Sequence, residues 1–153
     1  VTTDAAGRTT RVGLVVIDHG STRPEANRDH EAFVRGWSPD GYVAVEPAHM
    51  ELARPTLGDA FDACVTAGAE LVVVAPYFLW PGRHWREDIP AQAAAAAAAH
   101  PGIGYLVAAP LGPHPGLREV VDDRVRKCLD HVDGRTSGCE VCAGTDGCRL
   151  GGG

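Results

Sequence analysis

Two segments carry the residues best suited to chemistry: Asp18-His19-Gly20-Ser21, and Gly82-Arg83-His84-Trp85-Arg86-Glu87-Asp88-Ile89-Pro90. Each follows an apolar run with the composition of a buried strand. Imidazole accepts a proton near neutral pH and ligates iron, cobalt or zinc. A third polar group, His49 and Glu51, follows another such run. Two histidines and a carboxylate with open positions are a suitable set for divalent iron. His19, His84 and Glu51 are therefore the candidates for proton transfer and metal handling. His49 is a weaker one: in an extended chain it falls on the same side as Glu51.

Arginines flank both histidine segments. Arg23, Arg28, Arg83 and Arg86, with the N–H groups of a helix start at Ser21, suit a polycarboxylate substrate; ordinary surface charge accounts for each equally well. Glu87 and Asp88 either orient His84 or favour a helix N-terminus. His30, His100, His114 and His131 read as surface or helix-end histidines. Tyr77-Phe78-Leu79-Trp80 is an apolar loop fit for a flat aromatic ligand or for a subunit interface.

The elements that position these groups follow from periodicity. Val12–Ile17, Tyr42–Val45, Leu71–Ala75 and Ile103–Ala108 read as strands, the third continuously apolar like a central parallel strand. Between them, Ala26, His30, Phe33, Val34 and Trp37 recur at helical spacing behind a Ser21 cap. Leu57, Ala60, Phe61, Cys64 and Val65 form a second stripe, opened by Arg54-Pro55-Thr56 and ended by Gly68. A third helix starts near Trp85 or Pro90 and includes the alanine run. A fourth carries Leu117, Val120, Val121, Val125, Cys128 and Leu129. The alternation predicts an α/β fold: one domain with a four-stranded parallel sheet flanked by helices. Ligands in such sheets bind beyond the strand ends, where the histidines fall. The expected division is an N-terminal tail over 1–11, a domain over 12–132 and a cysteine-rich tail over 133–153.

Composition narrows the function further. The 153 residues suffice for one ordinary domain. The net charge of −6 leaves no basic stripe for nucleic acid, and no apolar stretch is long enough to span a membrane. The chain begins at Val1, as either a trimmed chain or one that has lost a targeting peptide would. Of the five cysteines, Cys64 sits in a helical stripe and reads as a small buried hydrophobe. Cys139, Cys142 and Cys148 form C-x2-C-x5-C, and Cys128 lies 11 positions before Cys139. Four clustered thiols suit structural zinc or an iron–sulfur cluster.

The ordered set of segments resembles the CbiX-type class II chelatases. The matching stretches are Asp18 to Asn27, Met50-Glu51-Leu52-Ala53-Arg54-Pro55-Thr56-Leu57, Pro81 to Pro90, and Ala109-Pro110-Leu111-Gly112-Pro113-His114. Pro47-Ala48-His49-Met50-Glu51, the Gly-Arg-His-Trp segment and the cysteine tail resemble the sirohydrochlorin ferrochelatases of plants and algae. The resemblance implies a chelatase-like domain that inserts Fe2+, as substrate, into sirohydrochlorin. It implies His19 and His84 as the active-site histidines and Glu51 as a metal-handling carboxylate. It further implies a homodimer, a plastid location (cytoplasmic outside plants and algae), and a 2Fe–2S cluster on Cys128, Cys139, Cys142 and Cys148. Asp18 departs from many relatives; an acidic neighbour there would act on the His19 pKa or on the incoming cation. Two other readings stand beside this one: a cobaltochelatase of the same fold, and a non-catalytic iron–sulfur or metal carrier.

Overall fold

The computed structural model describes residues 2–3, 9–136 and 142. The chain divides into two compact units, Val1–Gly112 and Pro113–Gly153. In the first, a short hairpin pairs β1 (Thr2–Thr3) antiparallel with β2 (Thr9–Thr10). The main sheet then follows: β3 (Val12–Asp18), β4 (Ala44–His49), β5 (Leu71–Pro76) and β6 (Gly104–Val107), all parallel, in the order β4-β3-β5-β6. This is the four-stranded parallel sheet the sequence predicts, with the most apolar runs, β3 and β5, inside it.

Side-chain alternation divides the core between the two faces. Val15, Ile17, Val72 and Val74 pack with Leu57, Ala60, Phe61 and Cys64 of α2 (Leu57–Thr66), and with Ile89 and Ala93 of α3 (Ile89–Ala98). Leu14 and Val16 face the other way, toward Val34 of α1 (Pro24–Arg35). Phe61 and Ile17 are fully buried, each contributing about 1.5–3 kcal/mol. Cys64 is buried as predicted, and burial, with a smaller effect of Glu46, pushes its thiol up to about 12.

Several local expectations are corrected. The second strand begins at Ala44 and continues through Pro47 to His49. As an edge strand it pairs on one side only and so tolerates proline. Ser21 does not cap α1. Arg23 is the N-cap residue and provides no side-chain cap; the Ser21 hydroxyl accepts the Arg23 N–H at 3.0 Å. The buried face of α1 is Asn27, His30 and Val34, whereas Phe33 and Trp37 are half exposed. The reason is placement: α1 packs over β4, so Phe33 and Trp37 line an apolar hollow of about 690 Å³ with Val16, Ala75 and Tyr77.

The start of α2 is as expected. Thr56 and Asp59 form a reciprocal capping box. The Thr56 N–H and hydroxyl, and then Arg54, hold the Asp59 carboxyl below its ordinary value. A π-helical turn, His84–Asp88, precedes α3.

The second unit contains α4 (Pro115–Val132), whose N-terminus is capped by His114 Nδ1 accepting the Gly116 N–H at 3.1 Å. Its stripe has the predicted spacing, but Val121, Val125 and Leu129 are exposed. Cys128 is exposed on this helix and Cys142 is half-buried. Cys139 and Cys148 lie outside the described residues, as does most of 133–153. Among the described residues no helix is long and apolar enough to cross a membrane.

Candidate active site

Strands β3 and β4 end in register, Asp18 opposite His49. Past the sheet the two chains stay laced together. The Met50 N–H donates to the Asp18 carbonyl at 2.9 Å and the Glu51 N–H to the His19 carbonyl at 3.2 Å. Gly20 adopts φ 82°, and a Cβ there would lie 2.0 Å from the Glu51 carbonyl oxygen. Only glycine permits both the conformation and the approach. Leu52, at φ 67°, and the Ala53 N–H donating to the Glu51 carbonyl at 2.9 Å then turn the chain sharply. The result places His19 Nε2 2.9 Å from Glu51 Oε1.

His84 reaches the same place from beyond β5. Its ring centroid is 5.2 Å from that of His19, edge to face. The π turn that carries it is a device often found at functional sites. It brings Asp88 beneath the ring, and His84 Nδ1 donates to Asp88 Oδ2 at 2.7 Å. That bond selects the tautomer with a bare Nε2. The Trp85 indole N–H donates to the Ala108 carbonyl at 2.9 Å, fixing the turn to the end of β6. Gln92 of α3 donates to the Met50 carbonyl at 3.1 Å, tying the helix behind His84 to the loop that bears Glu51.

Met50, Glu51, Arg83, His84, Asp88 and Gln92 line a crevice of about 410 Å³. It is smaller than the apolar hollow beside α1, but here the polar groups converge, as catalytic chemistry requires. In the His19–Glu51 pair, Nδ1 donates to the Gly20 carbonyl at 3.3 Å. Nε2 and Oε1 are thus two donor atoms set side by side, suited to take a cation together. Among the described residues no three His, Cys, Asp or Glu side chains already enclose a metal position. His19 and Glu51 are a pair, and His84 faces them across the gap.

The other expected residues divide. Arg83 lines the crevice and pairs with Glu87 at 3.3 Å. Arg86 does not: it lies in a separate hollow with Trp85, Pro90 and Val107. The wide π turn, bonded i to i+5, directs position 86 away from 83 and 84. Arg23 is exposed before α1, and Arg28 pairs with Glu25 at 3.4 Å. Ser21 is held by Asn27, which accepts its N–H at 2.9 Å and donates to its carbonyl at 2.8 Å. His49 does not reach the crevice. It is fully buried, its Nδ1 2.6 Å from Asp18 Oδ1. Asp18 is likewise committed, since the same oxygen accepts the Gly20 N–H at 2.9 Å. His30 is buried rather than on the surface, with Nε2 donating to the Val16 carbonyl at 3.1 Å. Asn27 and Gln92 are the positioning groups that sequence reasoning missed.

A parallel α/β sheet whose first and third core strands deliver facing histidines to one end, with a carboxylate from the second, is the architecture of a small chelatase. Residues 13–128 match the CbiX family model, and the chain belongs to the CbiX-type family of sirohydrochlorin chelatases. It is 54% identical over 139 residues to the chloroplastic sirohydrochlorin ferrochelatase of Arabidopsis thaliana, covering 90% of this chain and 62% of that protein. It is 30% identical to the sirohydrochlorin cobaltochelatase of Priestia megaterium, over 78% of this chain and 39% of that one. Among solved structures it is similar to the sirohydrochlorin chelatase SirB from Bacillus subtilis subspecies spizizenii in complex with cobalt. The TM-score is 0.67 at 29% identity, covering 76% of this chain and 50% of that chain. The chain thus spans less than two thirds of the length of these relatives.

Proposed function

We propose that the chain is a sirohydrochlorin ferrochelatase, inserting Fe2+ into sirohydrochlorin to form siroheme. The observation that carries this reading is the convergence of His19, Glu51 and His84 on one crevice, each from a different strand end. Insertion exchanges two pyrrole N–H protons for one divalent cation. His19 and Glu51 receive Fe2+ through Nε2 and a carboxylate oxygen. His84, its Nδ1 held by Asp88 and its Nε2 bare, accepts one pyrrole proton as the metal enters the macrocycle, and the His19–Glu51 pair, as it gives up the metal, takes the other. The metal is a substrate in this scheme and leaves with the product. Ser21, Arg23, Arg83 and Arg86 are proposed for the substrate carboxylates; of these Arg83 lines the crevice itself.

Cobalt insertion is the second reading, supported by the cobaltochelatase and cobalt-bound relatives; a His/Glu site does not by its ligand types prefer Fe2+ over Co2+. A non-catalytic metal carrier would leave His19, Glu51 and His84 without a role. The homodimer, the plastid location and a 2Fe–2S cluster on Cys128, Cys139, Cys142 and Cys148 belong to the same proposal. The first two rest on the family likeness and the last on that likeness and the cysteine spacing.

The test is an anaerobic mixture of protein, sirohydrochlorin and limiting Fe2+ or Co2+, followed by tetrapyrrole absorbance. A higher kcat/KM for Fe2+ supports the ferrochelatase reading. A higher value for Co2+ reassigns the metal, and no acceleration with either overturns chelation.

A further inference from the structure

We infer that His49, outside the crevice, is a positioning residue for metal capture: through Asp18 it sets the turn that carries His19. This rests on the proposed role of His19 and Glu51 as the pair that receives the metal.

His49 is fully buried, yet its ring is not fully satisfied. Nδ1 lies 2.6 Å from Asp18 Oδ1, a carboxylate acceptor, so Nδ1 donates. Among the described residues Nε2 has no hydrogen-bond partner; Glu31 Oε1 lies 3.8 Å away. A buried polar atom left unpaired is uncommon and calls for a reason. An apolar side chain would fill this place at the end of β4 without leaving an orphan. The reason lies in what the other nitrogen holds. Asp18 Oδ1 accepts from His49 and also from the Gly20 N–H, at 2.9 Å. One oxygen thereby joins the end of β4 to the turn Asp18-His19-Gly20. The main chain is laced at the same level by the Met50 and Glu51 N–H groups. His19 lies between the two tied residues. With His49 unable to donate, Asp18 loses the bond that aims it, and the turn loses its side-chain tie.

The ring itself is firmly seated. The His30 ring centroid is 5.5 Å from that of His49, and His30 is in turn packed on Tyr77 at 5.9 Å. The assembly is an outer support for a first ligand pair, of the kind whose loss costs about 10–100-fold in metal affinity or activity.

The test compares His49→Asn with His49→Leu, whose side chains have the same branched heavy-atom skeleton. Asn places an amide donor near the position of Nδ1 and Leu places none; Leu is the bulkier filler, so recovery by Asn is due to the bond and not to packing. His49→Gln, whose amide falls near Nε2 instead, replaces Leu should Leu fail to fold by thermal melt. Tetrapyrrole-free protein is titrated with Co2+ and followed by its visible d–d absorption, and chelation is measured at varied Fe2+ and at varied sirohydrochlorin. His49→Leu (or Gln) is expected to weaken Co2+ binding and raise the KM for Fe2+ about tenfold or more. The KM for sirohydrochlorin stays within about twofold, and His49→Asn recovers most of the loss. Unchanged Co2+ affinity in Leu (or Gln), or equal loss in Asn, overturns the inference. A His19→Ala control that still binds Co2+ like the wild type instead overturns the underlying assignment of the metal pair.

Discussion

The His84 imidazole donates from Nδ1 to the Asp88 carboxylate at 2.7 Å, four positions further along a π-helical turn. The bond leaves Nε2 as the ring's only lone pair, and the ring faces His19 across the crevice. Asp88→Ala removes the partner that fixes the tautomer. It is expected to lower kcat about 10–100-fold while the thermal midpoint moves little. Steady-state kinetics beside a melt checks this, and an unchanged kcat would remove Asp88 from the mechanism.

Gly20 is where two loops touch. Its φ is 82°, and the Glu51 carbonyl oxygen lies 2.0 Å from where a Cβ would sit. Gly20→Ala therefore incurs the left-handed cost of about 1–2 kcal/mol and also displaces Glu51. Urea denaturation should show the stability loss, and activity should fall further than stability alone explains. A variant of wild-type stability and rate would contradict the close approach.

The capping box of α2 makes a pH prediction. The Thr56 bonds, with Arg54, depress the Asp59 carboxyl in the folded state. A depressed carboxyl contributes stability that is present above its unfolded value and lost as pH falls through the folded one. Melts between about pH 5 and 2 should therefore show a smaller acid loss in Asp59→Ala than in the wild type. Equal slopes would mean that Asp59 is not held as described.

Cys64, with its thiol pushed up to about 12 by burial, is protonated at neutral pH and sheltered against Gly13. Iodoacetamide should leave Cys64 unmodified in the native protein and modify it only after unfolding, as peptide mass mapping would reveal. Native labelling of Cys64 would contradict its burial.

How much of this was legible in the sequence depends on the range of the interaction. Strand order along the chain follows from apolar runs, and their burial on both faces makes β3 and β5 readable. His19, Glu51 and His84 are legible because strand ends share an edge of the sheet. His49 misleads because the strand stays regular to His49 and the chain then turns sharply around Leu52, so alternation does not carry over to Glu51. His30 misleads because its face depends on where α1 leans, and Arg86 because a π turn has no sequence period of its own. Asn27 and Gln92 act through main-chain partners 6 and 42 positions away, pairings that spacing alone does not reveal.

The most direct test of the central claim is the anaerobic conversion of sirohydrochlorin to siroheme with Fe2+, comparing the wild type with folded His19→Ala and His84→Ala. The account predicts fast conversion by the wild type and a loss of about 100-fold or more in each variant. Wild-type rates in both variants would contradict it, since chelation would then proceed without the histidines that converge on the crevice.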